Sequence, residues 1–155
     1  MDDGLAARIA SFLDAHHVMS LATIGQDGPH AANLFYVRDG LALIWVSDPT
    51  SRHSIHIEAR PDVAATVAPD FRDFQEIQGV QISGRARRMD DEPERASARE
   101  RLQLRYPFLQ TASDSGLRHA YNQARFYRLE PARVVLIDNR RGFGSKEVLD
   151  LDRCG

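Results

Sequence analysis

The sequence predicts a mainly β, α+β domain: a small antiparallel barrel of six strands with helices at the N-terminus and in the connections. Three observations predict it. Six apolar runs of strand length are bounded by turn-forming clusters. Several are joined by only a few residues, which suits hairpins. The long run 77–89 contains Gly79 and Gly84, and glycines inside a strand mark the bulges that a curled sheet needs. With 155 residues, 43% hydrophobic and 27% charged, the chain reads as one globular domain over 1–155.

Each element has a local reason. Leu5, Ile9, Phe12 and Leu13 share one helical face, so 3–15 reads as an amphipathic helix. Strands follow at 17–24, 31–37 and 41–47, separated by Gly25-Gln26-Asp27-Gly28-Pro29 and by Arg38-Asp39-Gly40, which makes a meander. The third strand breaks at Ser47-Asp48-Pro49. A helix beginning at Thr50-Ser51-Arg52 then runs to Arg60-Pro61, where proline disfavours helical geometry in the residue before it. A fourth strand at 63–68 and a charged loop at 69–74 lead into the fifth at 77–89. Asp90-Asp91-Glu92-Pro93 opens a charged helix reaching about residue 105, with its acids at the end the helix dipole favours. Tyr106-Pro107 ends it, 116–123 is a short helical piece, and 126–138 is the sixth strand, with Pro131 at an edge or bulge. Residues 139–144 read as a turn-rich tail.

Several function classes are excluded. A net charge of −2 gives no electrostatic reason to expect a nucleic acid or membrane partner. No apolar run reaches the roughly 20 residues that span a bilayer. The N-terminus lacks the basic-then-apolar pattern of a signal peptide, so a cytoplasmic location is expected. One cysteine, Cys154, excludes an intrachain disulfide, a CxxC pair and a cysteine-ligated cluster. His53 and His56 share a helix face as two metal ligands would, but no third ligand stands at a recognisable spacing, so no metal is expected. There is no Ser–His–Asp spacing, HExxH, Walker loop or GxGxxG.

The stretch 45–58 carries the chemistry. An apolar strand stops, and a helix restarts with Thr50, Ser51 and Arg52 in its first turn. Free amides, hydroxyls and a fixed cation at a helix N-terminus form an anion site suited to phosphate. The ordinary structural reading is that the hydroxyls cap the helix and Arg52 is solvated.

The blocks MSLATIGQDGPHAANLFYV, WVSDPTSRHSIHIEARPDVAATV and VQISGRARRM resemble the pyridoxamine 5′-phosphate oxidase-like, FMN-binding split barrels, and the ending LIDNRRGFG resembles a bacterial subgroup of that superfamily. The resemblance implies a six-stranded antiparallel split β-barrel and a homodimer with FMN at its interface. It implies that Val46 and Ser47 lie against the ring and ribityl chain, and that Ser51 and Arg52, with Thr50 beside them, hold the phosphate. Asn33 falls on the strand beneath the flavin, and Gln78 near the glutamine the family uses on the fifth strand. Two positions depart from the family. His53 stands where the oxidase has Lys, and reads as a partly protonated helper of Arg52; Asn33 stands where it has Arg. The C-terminal Arg-x-His that engages the vitamin substrate has no counterpart after Asp138. The reading is therefore a flavin-dependent oxidoreductase acting on a small molecule other than the vitamin. The alternatives are a non-catalytic flavin-binding or redox-sensing protein, or a haem- or deazaflavin-binding relative on the same barrel.

Overall fold

The computed structural model describes residues 3–111 and 115–152; Cys154 lies outside them. Helix α1 (Asp3–Ala15) follows from its apolar stripe: Leu5, Ile9 and Leu13 are at most 3% exposed, facing the barrel core. Burying side chains of this kind contributes about 1.5–3 kcal/mol each. The chain then forms β1 (Val18–Gly25), β2 (Gly28–Phe35), β3 (Val37–Asp39), β4 (Ala42–Ser47), α2 (Arg52–Ala59), β5 (Asp62–Val67), β6 (Gln78–Arg88), α3 (Glu92–Arg105), α4 (Phe108–Thr111), α5 (Ser115–Gln123), β7 (Arg125–Asp138) and β8 (Lys146–Asp150). Single turns of 3₁₀ helix cover Phe74–Glu76 and Asn139–Arg141.

All strand pairs are antiparallel, in the order β2-β1-β5-β6-β7-β4-β3, with β8 on β7. β2 and β3 are consecutive in the chain yet lie at opposite ends of the sheet. The link between them is Tyr36, fully buried, whose hydroxyl donates to Leu13 O at 2.7 Å and whose amide donates to His17 O at 3.1 Å. The sheet thus curls until its two ends meet at one residue, without a hydrogen-bonded seam between the end strands. That is a split barrel.

Two strands were not expected. The predicted strand 31–37 breaks at Tyr36, so its last residue starts the separate strand β3, and the turn expected at Arg38-Asp39 moves to Gly40, at φ +61°. β8 lies just beyond the turn-rich stretch 139–144, where no strand was expected. Its five residues hold only two apolar ones, and Leu149 alone is buried, so its alternation is too short to stand out. The expected bulge falls at Ser83/Gly84 opposite Pro131. A Cβ at Gly84 would collide with the carbonyl oxygen of Glu130, so only glycine lets β6 and β7 approach there.

Opposite faces of β4 feed two cores. Leu43 and Trp45 point into the barrel, where Trp45 stacks on Tyr127 at 5.8 Å between ring centroids. Ile44, with Val46 beside it, joins Met89, Ala98, Leu102, Tyr106 and Phe126 in a second cluster beneath α3.

Candidate functional site

β4 ends at Ser47 and α2 begins at Arg52, and the side chains of this corner converge. Asp48 organises the turn: its Oδ1 accepts from the Thr50 amide and hydroxyl, both at 2.7 Å, and its carbonyl accepts from Ser51 Oγ at 2.7 Å. Ser51 occupies the N-cap position but makes no side-chain cap bond to the helix amides. Its oxygen instead lies 2.7 Å from Ser54 Oγ and 3.2 Å from His53 Nε2. Ser47 Oγ reaches the same nitrogen at 2.8 Å.

Buried polar groups must find partners, and the buried side of α2 carries four residues: His53, Ser54, His56 and Ile57. His56, 4% exposed, is held at both ring nitrogens: Nδ1 lies 2.9 Å from Thr23 Oγ1 and Nε2 lies 2.6 Å from Asp27 Oδ1. A carboxylate only accepts, so Asp27 keeps a proton on Nε2. The other carboxylate oxygen of Asp27 takes the Nε of Arg52 at 2.5 Å. These two hydrogen bonds, Arg52 first and His56 second, hold the Asp27 carboxyl at about 2. The tip of the β1–β2 hairpin is thereby tied to α2. A Cβ on Gly25 would collide with the His56 ring, so this glycine admits the imidazole.

His30 on β2 completes a group of three imidazoles, with its ring 6.3 Å from His53 and 6.0 Å from His56. Among the described residues no three His, Cys, Asp or Glu side chains converge as a metal site would. Burial, and then the neighbouring His30 and His56, hold the His53 pKa below its ordinary value. This corrects the expected partly protonated helper. At neutral pH His53 is an uncharged hub that ties Ser47 to Ser51, and the cationic group of the corner is Arg52. The Arg52 side chain is 52% exposed, and its terminal nitrogens have no partner among the described residues. A cavity of about 590 Å³ opens beside it, lined by Gly25, Asp27, Thr50, Arg52, Ile55 and His56 with two others.

The structure therefore brings Ser47, Thr50, Ser51, Arg52 and His53 together. Val46 adjoins Ser47 in the chain, but its side chain packs on the second core. Asn33 lies on the exposed face of β2, where its Oδ1 accepts from Ser20 Oγ at 2.8 Å. Gln78 pairs with Asp138 at the far end of β7, whereas Ser47 pairs with Arg125 at the near end. Thirteen residues of strand separate those positions, on the order of 40 Å when extended. Gln78 lines a different cleft of about 450 Å³, with Arg8, Phe12, Asp138 and Arg140.

Thr23, Asp27, His30 and His56 had no assigned role in the sequence reading. Asp27 reads as a turn former, and nothing local shows that its turn folds onto α2.

A curled antiparallel sheet closed at one residue, with a strand-to-helix corner carrying hydroxyls and an arginine, defines the class of pyridoxamine 5′-phosphate oxidase-like split barrels. The family described as pyridoxamine 5′-phosphate oxidase matches residues 5–136, and the chain belongs to it. A UPF0306 protein of Cronobacter sakazakii is 30% identical over 142 residues, covering 90% of this chain and 91% of the relative. The crystal structure of a conserved hypothetical protein from Mycobacterium tuberculosis superposes with a TM-score of 0.73 at 22% identity, over 91% of this chain and 87% of that one. A heme binding protein from Mycobacterium smegmatis gives 0.74 at 22% identity, over 94% of this chain and 57% of that one. These structural likenesses establish the fold. No helix among the described residues is long and apolar enough to cross a membrane.

Proposed function

We propose that this protein binds FMN at the corner between β4 and α2 and uses it as a flavin-dependent oxidoreductase on a small-molecule substrate. The observation that carries the reading is the set of free donors at that corner. The Ser51 hydroxyl leaves the first helix amides uncapped, no acidic residue stands in the first turn of α2, and the terminal nitrogens of Arg52 face solvent beside a cavity. Uncapped amides and a guanidinium are the groups that hold a phosphate. Asp27 supports the fit, because it binds only the Nε edge of Arg52 and so orients the free edge.

In this reading Arg52, Ser51 and Thr50 hold the phosphate, while Ser47, fixed by the neutral ring of His53, lines the approach. Asn33 and Gln78 hold the ring system. Bound flavin supplies hydride transfer, and the protein supplies position and charge. Because Ser47 and Gln78 stand at opposite ends of β7, one ligand touching both must draw them from two chains. We therefore include a homodimer in the proposal. The outward faces of β1, β5 and β6 suit it: Ser20, Thr66 and Gln81 pair in one row and Ala22, Ala64 and Ser83 in the next, an exposed strip of mostly short side chains flanked by the exposed Val18, Ile24 and Phe35.

Titration by flavin fluorescence quenching tests the phosphate anchor. Arg52→Ala should weaken FMN binding roughly 10- to 100-fold, the value of a charge-assisted contact, with the fold intact. Wild-type affinity in that variant would sink the assignment. The absorbance of the purified protein separates the cofactors, since a Soret band in place of flavin bands would favour haem, the ligand named for the M. smegmatis neighbour. Bleaching of bound flavin by NADH or NADPH would separate an enzyme from a non-catalytic flavin-binding or redox-sensing protein.

A further inference from the structure

A second cluster of cations lies outside this corner and takes no part in the reading above. Where α3 and α5 meet the start of β7, a cavity of about 220 Å³ is lined by Arg95, Arg99, Tyr121, Arg125 and Phe126 with two others, and it shares no lining residue with the cavity beside Arg52. The geometry points to a phosphate subsite here, built to take the phosphate group of a small phosphorylated molecule.

Four observations support it. First, two buried donors in this cavity wall, the Nε of Arg95 and the hydroxyl of Tyr121, have no hydrogen-bond acceptor among the described residues. Gln103 acts on the Tyr121 oxygen from its amide nitrogen, because its side-chain oxygen is engaged by Gln110 at 3.0 Å; an amide nitrogen only donates, so the hydroxyl proton still has no acceptor. A buried donor without an acceptor is costly, and a ligand oxygen would satisfy both. Second, the charge is unbalanced. The three guanidiniums have one carboxylate partner among the described residues, Glu92 on Arg95. Two positive charges are left over, matching a phosphate monoester, which carries about −1.5 to −2 at pH 7, better than a carboxylate.

Third, the cations are held in place before any ligand arrives. Arg99 lies over the Phe126 ring at 5.5 Å, and Arg125 Nη1 donates to the carbonyls of Gln123 at 3.0 Å and Ala124 at 3.1 Å. Preorganised guanidiniums lose little freedom on binding. Fourth, Tyr121 packs edge-on against Phe126 at 6.4 Å between ring centroids, which holds its ring in the cavity wall. The subsite is also close to the first site in the sheet, because Arg125 is the register partner of Ser47.

Inorganic phosphate is the probe, measured by thermal stabilisation of the full chain carrying Arg52→Ala, so that the corner at α2 does not contribute. Stabilisation by phosphate should persist in that variant and exceed the effects of acetate and chloride at matched ionic strength by at least tenfold in midpoint concentration. Adding Arg99→Gln and Arg125→Gln should abolish it. Tyr121→Phe, which keeps the packing and removes one donor, should weaken phosphate roughly 5- to 10-fold. If the double arginine variant does not fold, the Tyr121→Phe result decides. Undiminished phosphate binding in Tyr121→Phe or in the folded triple variant overturns the proposal, and so does an equal response to chloride or acetate.

Discussion

At the residue scale, His53 shows how burial changes what a side chain can do. Its position after Arg52 suggests a second cation for an anion. In the fold, Ser47 and Ser51 converge on its Nε2, while His30 and His56 stand beside it. The neutral ring is the favoured form, and the sign of the consequence follows. A histidine whose folded pKa lies below its unfolded value of about 6.5 adds stability above that value and loses it as pH falls through it. Urea unfolding between pH 7.5 and 5 should show stability falling with pH below about 6.5, at up to about 1.4 kcal/mol per pH unit for one proton. His53→Gln should flatten that slope, and an unchanged slope would return the ring to solvent. Ser47, Ser51 and Arg52 were legible from their places at a strand end and helix start. The network of Thr23, His56, Asp27 and Arg52 was not, because it joins residues on β1, in a hairpin turn and on α2, and only the tertiary fold makes them neighbours.

At the scale of elements, alternation and turn chemistry carried most of the sheet. β1 and β5 alternate buried and exposed almost without fault, which is why they read so plainly. The divided strand at Tyr36 escaped because an aromatic residue continues the apolar run while its hydroxyl, bonded to Leu13 O, turns the corner. The bulge was visible as Gly84 before its partner was known. Its cause is the approach of the Glu130 carbonyl, which leaves no room for a methyl group. Gly84→Ala should therefore destabilise the protein by about 2–3 kcal/mol, the range for forced overpacking, and lower the melting temperature by roughly 4–12 °C for a chain of this size. A loss under about 0.5 kcal/mol would mean that β6 and β7 can part there without cost, and that the glycine reflects nothing about the bulge.

At the scale of the whole molecule, the strand order sets what one chain can and cannot assemble. The corner at α2 and the cleft at Gln78 both belong to positions read from the sequence, yet β7 runs the length of the barrel between them. The sequence pattern could place each residue on its element, but not show that they lie far apart. A second copy resolves the separation if it packs on the outer face of β1, β5 and β6, where Ala22, Ala64 and Ser83 are exposed and short. Sedimentation of the wild-type protein should then give twice the chain mass. Ala64→Arg places a long charged side chain in the middle of that strip, on a residue that is already exposed, so the fold should survive while the dimer does not. If the flavin site is shared, the same substitution should weaken FMN binding about as strongly as Arg52→Ala, although Ala64 is no part of the corner. A monomeric Ala64→Arg protein that binds FMN at wild-type affinity would confine the cofactor to one chain and remove Gln78 from its site. A wild-type protein that sediments as a monomer would remove the shared site altogether.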